Sequence, residues 1–298
     1  MHRTPLLSAA GLGARAGAQL YLKCENFQKT GSFKPRGALN KVLSLSPEER
    51  GRGLVTVSAG NHAQAVAWAA RIAGATCTVV MPTAAPASKI EATRDYGAEI
   101  VLHEDRATLF DKLAEVRDSR GLSFVHPFDD PQVVAGAGTT GLEILEDLPE
   151  VDVILVPVGG GGIISGIASA AKQILPSVKV VGVELAEGPG LAPALAAGKP
   201  VTVTRPWNTI ADGMTPPFVG VLAVEIAKEV VDDIVGVTEA EILEAMKLLM
   251  TRAKLFVEGA GAAATAALLA GKVRVPAGAK VVAVISGGNV DLSRIPRD

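Results

Sequence analysis

Lys34 stands in an unusual setting, Lys29-Thr30-Gly31-Ser32-Phe33-Lys34-Pro35-Arg36-Gly37. Proline suits the first turn of a helix and not its interior. The spacing therefore predicts a loop-to-helix junction at Lys34, an address where side chains often do work. An amine held there out of water, near other positive charge, gives up its proton readily and becomes a base or a nucleophile toward carbonyl carbon. Three small-residue turns are candidates to complete a site with it. Ser58-Ala59-Gly60-Asn61-His62 offers a hydroxyl, an amide and an imidazole at a helix start, where backbone N–H groups suit a carboxylate. Gly159-Gly160-Gly161-Gly162 lets several N–H groups converge on one anion, such as a phosphate. Ser286-Gly287-Gly288-Asn289 is the third turn. Each also fits a plainer role: helix capping by Ser58 or Asn61, tight packing by the glycines, a turn for Ser286.

The elements around these turns explain their placement. Each turn follows an apolar run that reads as a buried strand: Leu54–Val57, Val153–Val158 and Val281–Ile285. Open α/β sheets bind ligands at such strand ends. A short strand is expected at Leu20–Lys23 and a helix over Phe33–Leu43. Ser46-Pro47-Glu48-Glu49 has capping-box spacing. A helix over Asn61–Ala73 opens an alternating block that runs to Ser123–Val125 and reads as a small parallel α/β unit. From Asp130 the pattern restarts with a helix to Leu148, the strand at Val153 and a helix over Ile163–Leu175. Gly188–Pro217 is rich in Gly, Pro and Thr and is expected to wrap the surface. Thr238-Glu239-Ala240-Glu241 is a second capping box, and the helix it opens carries Ile242, Met246, Leu249, Met250 and Ala253 on one face, a core stripe. The expected organisation is residues 1–50 with 130–298 as a larger unit and 51–129 as a smaller one, with the ligand in the cleft between them.

Composition narrows the class. The 298 residues suffice for one large or two modest domains, and 48% apolar content argues against disorder. A net charge of −2 without a basic run leaves no footprint for nucleic acid. Val153–Ala171 lacks charge over a bilayer's length, yet Pro157 and the four glycines break it into strand, turn and helix. The start, Met1-His2-Arg3-Thr4-Pro5, is no signal peptide. Cys24 and Cys77 lack metal or redox spacing and are expected as free buried thiols in a cytoplasmic protein.

Together, Lys34 and the three turns, in this order over nearly the whole chain, resemble the fold type II pyridoxal-phosphate enzymes, most closely the threonine dehydratase and serine racemase group. The resemblance implies an α/β fold of the tryptophan synthase beta-like class: two open parallel-sheet domains with pyridoxal 5'-phosphate in the cleft. It implies that Lys34 forms the Schiff base with the cofactor and takes the Cα proton, with Phe33 near the ring. It gives Gly159, Gly160, Gly161 and Gly162 the cofactor phosphate, Asn61 the ring hydroxyl and Ser286 the pyridine nitrogen. It gives Ser58, Ala59, Gly60, Asn61 and His62 the substrate carboxylate. A neutral serine at the pyridine nitrogen makes a shallower electron sink than an aspartate, which favours β-elimination over transamination. Glu258, before Gly259-Ala260-Gly261, is placed near the cofactor, its plainer reading being a helix-start carboxylate.

The departures are informative. Serine racemases carry a second serine where this chain has Ala59, and racemisation needs proton-transfer groups on both faces. The expectation is a dehydratase acting on L-threonine and more weakly on L-serine. A serine racemase, a cysteine synthase-like β-replacement enzyme and a non-catalytic phosphate-binding module are the alternatives. For the divalent cation of many relatives, Glu184 matches the first carboxylate, but Gly190 stands where an acid is needed, with Glu187 nearby. No metal ligand set is therefore assigned. The chain ends soon after Ser286, which implies no C-terminal regulatory domain and no feedback by isoleucine. The helix that usually precedes Arg3-Thr4-Pro5-Leu6-Leu7 is missing. The resemblance implies a homodimer or higher homo-oligomer.

Overall fold

The computed structural model describes residues 1–204 and 208–290. Their ten strands, β1 (Leu6–Ser8), β2 (Gln19–Cys24), β3 (Leu54–Val57), β4 (Cys77–Pro82), β5 (Glu99–His103), β6 (Ser123–Phe124), β7 (Val153–Pro157), β8 (Lys179–Leu185), β9 (Asp233–Val237) and β10 (Lys280–Ile285), form two sheets. The larger has the order β1-β2-β10-β7-β8-β9 and the smaller β5-β4-β3-β6. All pairings are parallel except β1 against β2. Strands covered on both faces read as unbroken apolar runs. Accordingly every residue of β3, β4 and β7 is buried.

Parallel pairing puts the carboxyl ends of β2, β7 and β10 at one edge of the larger sheet. There the segment after β2 meets the turn after β10: Ser32 bridges Gly287, and the Gly288 N–H donates to the Gly31 carbonyl at 2.9 Å. The helix Lys34–Ser44 leaves this junction and packs on both units. Its Ala38 and Val42 share a core with Val66 and Val79, while Gly37 lies against Val133 on the helix Pro131–Asp147. A Cβ at Gly136 would stand 2.3 Å from the Arg36 carbonyl, so these two helices touch backbone to backbone. The abundance of Gly and Ala in the sequence is the chemistry of that close approach.

A buried charge cluster fixes the start of the same helix. Arg36 donates to Glu25 at 2.7 and 2.8 Å and to Glu143 at 2.7 and 2.8 Å. Lys23 reaches Glu143 at 2.6 Å and the Thr4 carbonyl at 2.7 Å. Such a cluster is tolerated in the interior because each charge is matched by partners.

Both capping boxes form, at Ser46 and Thr238. Ile242, Met246 and Leu249 are buried together, as their spacing predicts. The stretch from Gly188 is more than a surface wrap. It contains the helix Leu191–Ala197 and sends Leu191, Ala194, Ala211 and Met214 into the cores. Part of it, residues 205–207, lies outside the described residues. Among the described residues no helix is long and apolar enough to cross a membrane. Cys24 and Cys77 are buried and free.

Candidate active site

Lys34 sits where its sequence setting predicts, at the first turn of its helix with Pro35 behind it. Its Nζ donates to the Pro127 carbonyl at 2.7 Å and lies 5.0 Å from the Phe33 ring centre. Burial pulls its pKa down to about 8, against the opposing field of Glu258. About a tenth of the amine is therefore unprotonated at pH 7, far more than for an ordinary lysine, which favours both carbonyl chemistry and proton abstraction.

Pro127 connects Lys34 with the glycine run. The next residue, Phe128, lies against Gly160, where a Cβ would overlap its ring at 2.3 Å. Gly161 is the N-cap of the helix Gly162–Ile174 at φ 91°, a left-handed conformation that favours glycine. A Cβ there would meet Ala223 at 2.3 Å. Only glycine fits either position without displacing a neighbour, and the turn brings backbone N–H groups to the positive end of a helix. Ser286, 4% exposed, is joined to the lysine segment by the Phe33 N–H, which donates to its carbonyl at 3.0 Å.

Asn61 is reached from the other unit. It opens the helix Asn61–Ala73 after β3, yet its side chain caps nothing, and the N-cap residue is Gly60. Its amide nitrogen donates to Glu258 Oε1 at 2.7 Å, while its oxygen accepts from Asn289 at 2.8 Å. The second bond of Asn289 goes to the Thr30 carbonyl at 2.7 Å. With its oxygen held by Asn289, Asn61 has one further N–H beyond the one given to Glu258. Ser58 turns back on its own loop and accepts from the Gly60 N–H at 3.1 Å. His62 is buried, and its Nε2 pairs with the Val125 carbonyl at 3.1 Å, which makes that nitrogen the donor. Burial and the nearby Lys34 charge hold its pKa well below the usual histidine range, so the ring is neutral. The Asn61 side chain of this turn thus crosses to the other unit, while the imidazole is directed to Val125.

At Glu258 the plainer reading of the sequence, a helix-start carboxylate, does not hold. It precedes a helix, but its side chain makes no cap bond; it accepts from Asn61 instead. Burial, reinforced by Asp212, raises its pKa to about 7. Asn289, the last residue of the third turn, meets Asn61, while Pro127 and Phe128, which no local motif marks, adjoin Lys34 and Gly160. Glu184 has gone elsewhere. Its carboxylate accepts the N–H groups of Gly190, Leu191 and Ala192 at 2.7, 2.6 and 3.1 Å, capping the helix Leu191–Ala197. Glu187 accepts weakly from the Glu239 N–H at 3.4 Å. Among the described residues no group of three or more His, Cys, Asp or Glu is arranged to hold a metal.

A desolvated lysine amine held by Pro127, an all-glycine turn packed on the neighbouring Phe128, and an amide fixed from the other unit all follow the carboxyl ends of parallel strands or adjoin them. The comparisons name the class. Residues 1–287 match the family of pyridoxal-phosphate dependent enzymes, and the chain belongs to that family. It is 49% identical to an L-threonine ammonia-lyase of Thermotoga maritima, over 100% of this chain and 74% of that protein. It is 46% identical to the catabolic L-threonine dehydratase of Escherichia coli strain K12, over 99% of this chain and 90% of that one. Among solved structures, maize serine racemase superposes with a TM-score of 0.93 at 39% identity, covering 98% of this chain and 90% of its own. The cofactor is pyridoxal phosphate, and the chemistry of the residues present fits it: the loosened proton of Lys34 suits its aldehyde, and a turn of four glycines at a helix N-terminus suits an anion such as its phosphate.

Proposed function

We propose that this protein converts L-threonine to 2-oxobutanoate and ammonia, and more slowly L-serine to pyruvate and ammonia. The observation that carries the reading is the Lys34 amine, pulled down to about 8 by burial, together with Ala59 as the second residue of the Ser58–His62 turn, where serine racemases carry a second serine. One base is present and its counterpart is a methyl group. Elimination needs a proton removed from one face only, whereas racemisation needs proton transfer on two. Relatives at 49% and 46% identity that are named for threonine deamination support the same choice.

In this reading Gly159, Gly160, Gly161 and Gly162 hold the cofactor phosphate with backbone N–H groups, Phe33 flanks the ring, and Ser286 faces the pyridine nitrogen. Asn61 presents its remaining N–H to the ring oxygen. Bound pyridoxal phosphate supplies the carbonyl that the substrate amine joins and a conjugated ring that accepts the electron pair from Cα. The turn Ser58–His62 takes the substrate carboxylate on the N–H groups that open its helix. Lys34 removes the Cα proton, and the β-hydroxyl leaves with a proton as water, the net loss of H and OH returning Lys34 to its neutral amine. The Lys34 amine then releases the enamine product, which tautomerises and takes up water to give 2-oxobutanoate and ammonia. His62, neutral and bonded to Val125, adds no second charge beside Lys34.

We also propose that residues 1–50 and 130–298 form the larger, cofactor-binding unit and residues 51–129 the smaller, substrate-side one, with the helix Lys34–Ser44 packed on both. A cytoplasmic homodimer or higher homo-oligomer completes the proposal; light scattering of the purified protein tests the assembly. Incubation with L-threonine, L-serine and O-acetylserine, followed by 2-oxo acid release and chiral analysis of recovered serine, tests the reaction. Release of 2-oxobutanoate without D-serine supports a dehydratase. D-serine or a β-replacement product in its place overturns the reading.

A further inference from the structure

One charged pair joins the two units outside Lys34 and the three turns. Lys89 lies on the helix Ala87–Asp95, beside the smaller sheet. Asp212 opens the short turn Asp212–Met214 of the larger unit. The Lys89 Nζ stands 2.6 Å from Asp212 Oδ2, and the lysine side chain is only 11% exposed. Each end leans on one of the site's turns. The Lys89 Nζ is 3.9 Å from where a Cβ on Gly60 would stand. The Gly213 carbonyl, one residue beyond Asp212, is 2.9 Å from where a Cβ on Gly159 would stand. The pair therefore links the wall proposed for the substrate carboxylate to the wall proposed for the cofactor phosphate. The electrical field of the same pair reaches Glu258, as does that of Lys34, and Asn61 donates to it.

A solvent-exposed ion pair contributes little to stability. This one is shielded at its lysine end and joins two units, so its main lever is the distance between the walls and not the stability of either. A small displacement of a positioning group suffices to weaken binding of a substrate held from both sides.

We propose that Lys89 and Asp212 form a clasp that holds the Ser58–His62 turn against the Gly159–Gly162 turn, making Lys89 a positioning residue for the amino acid. The proposal rests on the dehydratase reading of the cleft. Opening the clasp lowers affinity for the amino acid, while proton removal by Lys34 in the bound complex changes less.

The test compares Lys89→Met and Lys89→Arg with the wild type, each reconstituted with pyridoxal phosphate. Lys89→Met is expected to raise KM for L-threonine about tenfold, equivalent to about 1.4 kcal/mol. The accompanying change in kcat is expected to stay under about threefold, because a purely binding interaction moves KM and leaves kcat. Cofactor affinity, read by fluorescence titration, stays near the wild-type value, and Lys89→Arg recovers most of the lost KM. Hydrogen exchange of residues 58–62 speeds up in Lys89→Met even without substrate. A folded Lys89→Met with wild-type KM and wild-type exchange overturns the clasp. So does a parallel loss of kcat and cofactor affinity, which would make the pair part of the fold. Should the wild type release no 2-oxo acid, the dehydratase reading fails, and hydrogen exchange, which needs no turnover, still decides the clasp. Asp212→Asn, which keeps the size of the side chain, carries the same measurements if Lys89→Met does not fold.

Discussion

Two groups of buried charge flank the start of one helix, and they differ in kind. Behind Lys34, the group Lys23, Glu25, Arg36 and Glu143 is saturated with ion pairs. Burial opposes the charge on Glu143, yet its bonds from Arg36 and Lys23 hold its carboxyl below the usual range. In front, Lys34 and Glu258 have neutral partners, a carbonyl and an amide. Burial drives both toward their neutral forms, to about 8 and about 7. Charges that are paired stay charged and hold the fold. Charges that are desolvated without ionic partners come near the working pH, where a proton is easily moved. The same helix carries one of each, two residues apart, so the fixed Arg36 aims the reactive Lys34.

Substitutions can break this contrast, and the largest effect is expected at Lys34. Lys34→Ala should lower 2-oxobutanoate release by about four orders of magnitude, the combined loss of base and nucleophile. The variant should unfold at the wild-type urea midpoint or above it. Substantial retained turnover would put the chemistry elsewhere. Arg36→Met should do the reverse at first reading, costing about 3–5 kcal/mol in urea unfolding because Glu25 and Glu143 lose their partner in the interior. An unchanged midpoint would show that the rear group is idle.

Glu258→Gln sharpens the comparison through pH. The ordinary carboxyl value of 4.5 rises to about 7 in the fold, so between those values the folded protein binds the extra proton. Stability carried by that proton is complete below the lower value and is lost as pH climbs through the upper one. Glutamine cannot titrate. The variant should therefore gain on the wild type by about 3 kcal/mol as pH rises across this window, with no further change above it. A difference between the two proteins that is flat with pH would show that Glu258 ionises freely. The smallest effect is expected far from both groups. Ser46→Ala removes the capping hydroxyl bonded to the Glu49 N–H. It should cost about 1 kcal/mol and leave turnover intact, a baseline against which the others are judged.

Much of the site was legible because its signals are local. Pro35 beside Lys34, four glycines after an apolar strand and a helix-start turn after another strand each announce themselves within ten residues. What escaped depends on distance along the chain. Asn61 finds Glu258 197 positions away, and Lys89 finds Asp212 123 positions away. Those partners meet only when two sheets come together, and periodicity carries no trace of that. Glu258 was further disguised, since a carboxylate before a helix reads as a cap. Glu184 was disguised in the opposite sense: a match to a metal-ligand position proved to cap a seven-residue helix, Leu191–Ala197, that a stretch rich in Gly, Pro and Thr conceals. The antiparallel strand Leu6–Ser8 was too short to show a period.

The most direct test of the central claim is 2-oxo acid release from L-threonine by the purified protein reconstituted with pyridoxal phosphate. Release of 2-oxobutanoate with an equal amount of ammonia is the predicted result. Cofactor bound at Lys34 with no 2-oxobutanoate formed would contradict the account, leaving the fold and the cofactor in place and the substrate wrong.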